Sequence, residues 1–587
     1  MKDKIENLIK DALVKLGAPD AEFSVEHPED LKNGDYSTNV AMVCWKKFET
    51  NELKPSRAQV ADMIGGVIKK NLPNEIEKIE VAGGFINFYL NNIFFEDSIK
   101  EILKSSDNFG HGKALAGQKA IIEYTDPNPF KEFHIGHLMA NTIGEALSRL
   151  VEWNGAETRR ACYQGDIGLH VAKAVWAILK NNIKPDDITA DVLGRMYAVG
   201  NLAYESDEQT KGEIEDVNRK IYNLTDRQIN EVYNQGKKLS LEYFEKIYKK
   251  LGTKFDFYFL ESTSGNFGEE IVREATEKGI FEKSDGATVF RGEKYGLHTR
   301  VFVNSQGLPT YEAKDLGLMK IKYDLYPYDR SVIVTGNEQS DYFKVVLRAA
   351  AIIFPDLYKK TTHISHGMLR LPSGKMSSRT GEVVAAENLL AEINARVKKK
   401  MAESGRVVFT EELADQISVG ALKYSILKQA IGRDIIFDFE KSISFEGDSG
   451  PYLQYSHARA QSILKKAIAE KLVSAEHGYF SAEKFLVLAP SRSQGPAETS
   501  FSAFGVLERL LYRFPEIVEQ AWRELAPQHV ASYLIELCHA FNTFYVAEKI
   551  VDANDPASPY KIALTAAFTQ VLRNGLTVLG ISAPEEM

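Results

Sequence analysis

Residues 121–155 read IIEYTDPNPFKEFHIGHLMANTIGEALSRLVEWNG, and this stretch decides the fold of the region around it. Residues 121–124 form a short apolar run that predicts a buried strand, and the proline-rich segment 125–129 breaks it. From about 134 to 153 the apolar residues recur at helical spacing, and Asn154-Gly155 ends the pattern. The stretch therefore predicts a strand, a turn and a helix, with two histidines in the first helical turn.

The first turn of this predicted helix suits a nucleoside triphosphate. Unpaired backbone N–H groups and the helix dipole both favour anions at a helix N-terminus. His134 and His137 are three residues apart, so both imidazoles lie on one side of the turn and can donate to phosphate oxygens. Gly136 between them has no Cβ and lets a base or ribose approach the backbone. Alone, the tetrapeptide also fits a chance match.

A second motif lies far downstream. Residues 367–374, GMLRLPSG, predict a strand edge that leads into a glycine-bounded loop. This loop presents Lys375 and Arg379, with Ser377 and Ser378 between them. Mobile cations suit charge that develops only in a transition state, such as that of departing pyrophosphate. The loop alone fits an ordinary solvated surface, but together with the histidines it favours activation of a substrate by ATP.

The two motifs resemble the HIGH and KMSKS signatures of class I aminoacyl-tRNA synthetases, and their surroundings resemble the arginyl-tRNA synthetase family. The similar stretches follow the family's order nearly from end to end. They are 34–42 (GDYSTNVAM), 84–88 (GFINF), 123–137 (EYTDPNPFKEFHIGH), 165–168 (GDIG), 311–315 (YEAKD), 378–383 (SRTGEV), 445–459 (FEGDSGPYLQYSHAR), 571–576 (VLRNGL) and 579–584 (LGISAP).

The resemblance implies an arginine–tRNA ligase. Such an enzyme uses ATP, accompanied by Mg²⁺, to form arginyl-adenylate, and transfers arginine to the 3′-terminal adenosine of its tRNA, producing AMP and pyrophosphate. It implies arginine-specific tRNA, ATP and L-arginine as partners of a monomeric cytoplasmic enzyme, with no zinc or other bound metal, no DNA and no membrane. Another class I specificity, glutamyl or cysteinyl, is an alternative.

Two alternatives from other classes remain. A small-molecule nucleotidyltransferase also uses His-x-Gly-His. Such enzymes are usually single compact domains, however, and the long helical C-terminal third of this chain would have no function in one. In a non-catalytic relative we would expect His134, His137 or Lys375 to be replaced, and all three are present.

The resemblance also implies roles for single residues. Catalytic roles fall to His134, His137, Lys131 and Lys375, and ATP contacts to Gly136, Ser377, Ser378 and Arg379. The tRNA contacts are Asp35, Tyr452, Tyr455 and Arg459. The arginine ligands are Glu123, Asn128, Tyr311, Asp315 and Gln339.

Chemistry supports this arginine set, because a planar guanidinium with five donors needs carboxylate and carbonyl acceptors. Tyr311 and Asp315 are four apart and share a face if their segment is helical. Gln339 follows the predicted strand 331–335, at the edge where open α/β sheets collect ligands.

Three departures from the family pattern stand out. Ser378 occupies the place of the second KMSKS lysine, and Lys131, three residues before His134, fits the substitute role known in parts of the family. Ile167 and His170 stand where Trp and Gln are more usual, and Tyr342 replaces a frequent His. These departures affect details of the arginine pocket and not the class.

Composition agrees with a large α/β protein of three domains. The chain has 587 residues, 44% of them hydrophobic, a net charge of −9 and three dispersed cysteines, which form neither a disulfide framework nor a zinc motif. We predict an α/β module in 1–110, by resemblance an additional tRNA-binding domain. A doubly wound, Rossmann-like catalytic domain follows in 115–395, with a helical insertion at about 171–285. An all-α anticodon-binding domain then occupies 396–587.

Overall fold

The computed structural model of the protein describes residues 1–49, 54–371, 385–403, 410–473 and 503–587. Four of the residues predicted for catalysis and ATP binding, Lys375, Ser377, Ser378 and Arg379, lie outside these described residues. None of the helices in the described ranges is both long and apolar enough to cross a membrane.

The N-terminal unit combines four helices with a small antiparallel sheet. Its strands run in the order β1-β2-β4-β3, and the helices pack on them around a separate core. The elements are α1 (Lys2–Lys15), β1 (Val25–Glu26), β2 (Tyr36–Thr38), α2 (Val40–Cys44), α3 (Arg57–Lys69), β3 (Ile76–Ala82), β4 (Phe85–Leu90) and α4 (Asn92–Ser105).

The central unit is built on a five-stranded parallel sheet with the order β12-β11-β5-β6-β7. Its elements are β5 (Lys119–Glu123), α5 (Ile135–Trp153), β6 (Glu157–Gln164), α6 (Leu169–Lys180), α7 (Ala190–Ser206), α8 (Glu208–Asn223), α9 (Arg227–Leu251), β7 (Phe257–Leu260), α10 (Glu261–Glu277), β8 (Glu282–Ser284), β9 (Ala287–Phe290), β10 (Arg300–Val303), α11 (Tyr311–Leu325), β11 (Arg330–Gly336), α12 (Ser340–Ile353), α13 (Pro355–Lys360), β12 (Thr361–His366) and β13 (Leu369–Arg370).

This sheet confirms the prediction of a doubly wound fold. The chain moves outward from β5 through β6 to β7, then crosses to β11 and β12 on the other side. The direction of winding reverses beside β5, and ligands of open α/β sheets bind at such a switch point. Because Glu123 ends β5 and α5 begins soon after it, both lie at this position.

The predicted helical insertion differs from the structure in its extent. Helices α6–α9 form a layer with its own core between β6 and β7. The stretch 171–285 also contains β7, whose residue Phe257 pairs with Ala161 of β6 in the main sheet. One strand of the sheet therefore lies within the predicted insertion, while the outer boundaries of the three domains stay predictions.

In its described residues the C-terminal part is helical, as predicted, apart from a two-residue strand that the all-α prediction did not include. Its elements are α14 (Ala386–Glu403), α15 (Glu411–Leu427), β14 (Ile435–Ile436), α16 (Phe439–Ser442), α17 (Gly450–Ala469), α18 (Ala503–Leu511), α19 (Phe514–Arg523), α20 (Gln528–Ala547) and α21 (Ser558–Val578). Apolar side chains from these helices join those of α5 and the central sheet in one continuous core.

Asp35 requires a correction to the predicted tRNA contacts. It is 1% exposed, and one carboxylate oxygen lies 2.7 Å from Nε of Arg509 on α18. The other oxygen accepts the N–H of Leu90 at 2.7 Å. Nearby, the Tyr36 hydroxyl donates to Glu516 of α19 at 2.6 Å. Asp35 therefore joins the N-terminal unit to the C-terminal helices, and burial keeps it from a direct contact with tRNA.

Candidate active site

His134 and His137 cap the N-terminus of α5 instead of projecting freely from it. Nδ1 of His134 accepts the N–H groups of Gly136 and His137 at 3.1 and 3.4 Å. In return, Nδ1 of His137 accepts the N–H of His134 at 3.2 Å, and the two rings stack with centroids 3.5 Å apart. This reciprocal arrangement is a capping box made by two imidazoles.

Burial keeps both rings neutral, and the cap fixes their tautomer. Burial, with the nearby Lys131 charge, lowers the pKa of His134 to about 4, and burial beside His134 holds the pKa of His137 well below its usual range. Both imidazoles are therefore neutral near pH 7. Since each Nδ1 accepts a hydrogen bond, each proton lies on Nε2. Each histidine can offer one N–H donor to a ligand.

The chain after residues 372–384 returns to this same turn. Ala385 forms a β-bridge with His134, and the N–H of Ala386 donates to the carbonyl of Phe133 at 2.8 Å. The described residue that follows the second motif thus lies directly against the first motif.

The predicted arginine ligands lie near the same edge of the sheet, where the structure adds further carboxylates. Asp315 is on the first turns of α11, which confirms that its segment is helical, and the hydroxyl of Tyr342 donates to it. Asp126 accepts the N–H of Tyr163 at 2.7 Å. Glu123 and Glu261 are buried at the ends of β5 and β7. Glu123, Asp126, Glu261 and Asp315 therefore share one region of low dielectric, which we call the acidic pocket.

Two buried lysines neutralise two of these four acids. Nζ of Lys322 lies 2.5 Å from Glu123, and Nζ of Lys314 lies 2.6 Å from Glu261. In the described part of the chain, neither Asp126 nor Asp315 lies in an ion pair. Burial, with the neighbouring carboxylates, raises the pKa of Asp315 to about 8 and that of Asp126 well above its usual range. Among the described residues, the site is therefore short of positive charge.

The remaining predicted ligands are Asn128, Tyr311 and Gln339. Tyr311, the first residue of α11, is exposed, and Gln339 is exposed in the turn after β11. The side-chain oxygen of Asn128 approaches Gly165 so closely that a Cβ there would lie 2.1 Å from it. Gly165 is therefore required for this approach. These roles stay predictions.

The departures from the family pattern at Ile167, His170 and Tyr342 are each accommodated. Ile167 is buried in the core of the helical layer, and Nε2 of His170 donates to the carbonyl of Gly165 at 2.7 Å. Burial lowers the pKa of His170 to about 3, so this ring is also neutral. Tyr342 supplies the hydrogen bond to Asp315 described above.

The predicted tRNA-contacting residues of α17 converge at a cleft of about 440 Å³. The Arg459 guanidinium lies 4.7 Å from the ring centroid of Tyr455 and also donates to the amide oxygen of Asn542. The Asn542 amide in turn donates to the Tyr452 hydroxyl at 2.9 Å. Met587, at the end of the chain, lines the same cleft. We call these five residues the aromatic pocket.

Comparison with known proteins decides the family. A sequence model described as the catalytic domain of "tRNA synthetases class I (R)" matches residues 98–439. Models described as the "Arginyl tRNA synthetase N terminal domain" and the "DALR anticodon binding domain" match 3–90 and 453–587. The chain belongs to the arginyl-tRNA synthetase family. The prediction of a class I arginine–tRNA ligase is confirmed over the alternatives.

Individual relatives agree with this assignment over the whole length. An arginine–tRNA ligase of Clostridium acetobutylicum is 31% identical, over 100% of this chain and 98% of the relative. One of Clostridium perfringens is 28% identical, over 98% of each chain. The solved arginyl-tRNA synthetases of Thermus thermophilus and Plasmodium falciparum, 24% and 20% identical, match all of this chain and 100% and 99% of their own, with TM-scores of 0.78 and 0.80. These two structures show the same fold.

Proposed function

We propose that the acidic pocket of this arginine–tRNA ligase binds L-arginine, with Asp315 as the main partner of the guanidinium. The observation that carries the proposal is that Asp126 and Asp315, two carboxyl groups with raised pKa values at the edge of the sheet, form no ion pair with any described residue. L-Arginine brings two positive charges, on its guanidinium and its α-ammonium, so it can neutralise both. Because a guanidinium needs the ionised carboxylate, arginine and a proton compete for Asp315 below about pH 8.

ATP is proposed to bind against the first turn of α5. The neutral Nε2–H groups of His134 and His137 can donate to phosphate oxygens, and Gly136 leaves room for the nucleoside. Lys131 lies three residues before the cap, and no carboxylate of the described ranges forms an ion pair with its ammonium. Its charge is therefore available to the β- and γ-phosphates. Lys375, Ser377, Ser378 and Arg379 are proposed from the sequence alone.

The proposed reaction has two displacements. A carboxylate oxygen of arginine attacks the α-phosphorus of ATP in line, and the bond to the departing pyrophosphate breaks. A hydroxyl of the terminal adenosine of tRNA then attacks the carbonyl carbon of the mixed anhydride, and AMP leaves. Positioning and charge stabilisation can carry the first displacement without a protein nucleophile. Mg²⁺ is proposed to enter with ATP, bound by the phosphate oxygens of the nucleotide.

The aromatic pocket is proposed to hold an unpaired base of arginine-specific tRNA. Tyrosine rings and an arginine guanidinium supply flat stacking surfaces, and the Asn542 amide holds Arg459 and Tyr452 in place. The sequence predicted Tyr452, Tyr455 and Arg459 here, and the fold adds Asn542 and Met587 from distant parts of the chain. We also propose that the enzyme is a monomer, that it acts in the cytoplasm and that it binds no zinc.

Arg459→Ala is expected to raise the KM for tRNA about 10-fold, because it removes a stacking plane worth roughly 1–3 kcal/mol per base. With saturating tRNA, the rate of arginylation should stay near that of the unmodified chain. Aminoacylation at varied tRNA concentration measures both values. Lys465→Ala is the matched control, because Lys465 lies on the same helix and pairs with exposed Glu586. An unchanged KM for Arg459→Ala would place base recognition elsewhere.

A further inference from the structure

The segment that joins β5 to α5 has a strained backbone. Thr125, Asp126 and Phe130 adopt φ angles of 83°, 45° and 67°, in the left-handed region that residues other than glycine rarely enter. Such conformations persist only where surrounding contacts enforce them, and they concentrate at functional sites. Lys131 follows this segment directly, so whatever holds the segment also sets the position of the lysine.

Helix α9 holds the strained segment at Phe130. The N–H of Phe130 donates to Oγ of Ser240 at 2.9 Å, and its ring lies parallel to that of Tyr233 with centroids 6.4 Å apart. Gly236 makes this contact possible, because a Cβ there would lie 2.3 Å from the Phe130 ring. The helical layer between β6 and β7 thus fixes the backbone next to Lys131.

Helix α7 of the same layer contacts Lys131 itself. Nζ of Lys131 lies 4.8 Å from the ring centroid of Tyr197. One turn earlier, Gly194 approaches Glu132, and a Cβ at Gly194 would lie 3.3 Å from that side chain. The face of α7 that carries Gly194 and Tyr197 therefore covers residues 131 and 132.

The kind of partner matters for the chemistry of Lys131. A carboxylate would hold the ammonium in place but would also neutralise it. The face of an aromatic ring attracts a cation through its quadrupole while the positive charge is retained. The ammonium over Tyr197 can therefore be held by α7 and still stabilise charge on a phosphate.

We infer that Tyr197 is a positioning residue for adenylate formation, which places the Lys131 ammonium for the leaving phosphates. The inference rests on the role of Lys131 proposed above and gives the helical layer a part in the first chemical step. Tyr197 need not touch either substrate. Its loss acts through Lys131 and lowers the rate constant of activation while the KM for arginine is unchanged.

The test is single-turnover adenylate formation by the full chain with arginine, ATP and tRNA. Tyr197→Leu is expected to slow this step about 5- to 20-fold, the range of a partly desolvated cation–π contact. Tyr197→Phe, which keeps the ring face, should stay within about twofold of the unmodified chain. Tyr204→Leu is the matched control. Tyr204 lies on the same helix, and Nζ of another lysine, Lys173, lies 4.3 Å from its ring centroid. Tyr204→Leu should leave the step unchanged.

A double-mutant cycle separates this inference from the proposal on which it rests. In the Lys131→Ala background, Tyr197→Leu should cause no further loss. An equal loss in both backgrounds, or equal loss for Tyr197→Phe and Tyr197→Leu, would overturn the positioning role while leaving that of Lys131 intact. A normal rate for Lys131→Ala would instead overturn the role of Lys131, and the inference with it.

Discussion

Asp315→Asn is expected to reduce kcat/KM for arginine by roughly 30- to 5,000-fold, which corresponds to the 2–5 kcal/mol cost of breaking a buried charge pair. The guanidinium would lose its anionic partner in a pocket where burial makes replacement by water poor. Glu123 and Glu261 cannot take over fully, because Lys322 and Lys314 already pair with them. Binding of ATP should change little. Steady-state aminoacylation at varied arginine, with ATP binding measured separately, gives both quantities.

The substitution should not unfold the protein, so its effect can be assigned to the site. The pKa of Asp315 is raised to about 8, and a neutral amide replaces a carboxyl group that is largely protonated at pH 7. The amide oxygen can still accept the Tyr342 hydroxyl. Asp324→Asn is the matched control, because Asp324 lies on the same helix and pairs with exposed Lys320. Near-normal use of arginine by Asp315→Asn would show that the pocket has been misplaced.

Lys131→Ala is expected to slow adenylate formation about 100-fold or more, comparable to loss of one donor to a developing oxyanion. Charge builds on the β- and γ-phosphates as the α-phosphorus is attacked, and Ser378 cannot supply a cation. Lys131 adjoins a helix N-terminus that already favours phosphate, so it needs little reorganisation. The effect belongs to the transition state, and binding of arginine should be unchanged. Single-turnover kinetics at varied arginine separate the rate of adenylate formation from the binding of arginine.

Two further variants sharpen this prediction. Ser378→Lys in the Lys131→Ala background should recover part of the lost rate if a lysine at either position stabilises the charge that develops on the β- and γ-phosphates. Lys173→Ala should have little effect, although Lys173 also lies over a tyrosine of α7. An unchanged rate in Lys131→Ala would mean that this lysine is an ordinary loop residue.

Much of the fold around the site follows from local sequence pattern. The apolar run of β5 and the helical spacing of α5 are strong and uninterrupted, so both elements lie where the sequence predicts them. Strand β7 carries a weaker signal. It has four residues, Phe257–Leu260, between two charged amphipathic helices, and only its pairing with β6 makes it part of the sheet.

The site was predicted less completely because burial and pairing depend on tertiary contacts. Nothing in the sequence around Asp35 shows that it is buried, because its partner Arg509 comes from a helix near the other end of the chain. Glu261 and Lys322 lie outside the stretches that resemble the family, and Lys314 lies in 311–315 without a predicted role. Their ion pairs appear only after α10 and α11 pack at the edge of the sheet.

The histidines illustrate a second limit of prediction from sequence. Their spacing correctly predicts that they share the first turn of α5. The spacing does not reveal that each Nδ1 is used in the helix cap, which leaves one donor on each ring. The hydrogen bonds of the folded turn decide the tautomer, and the tautomer decides how many contacts each imidazole can offer to ATP.

The most direct test of this account is ATP–pyrophosphate exchange with each amino acid in turn. We expect exchange with arginine alone, and, as the family resemblance implies, only when tRNA is present. Exchange with arginine in the absence of tRNA would remove the dependence on tRNA but keep the acidic pocket. Exchange driven by glutamate or cysteine instead of arginine would contradict the assignment of the pocket to a guanidinium.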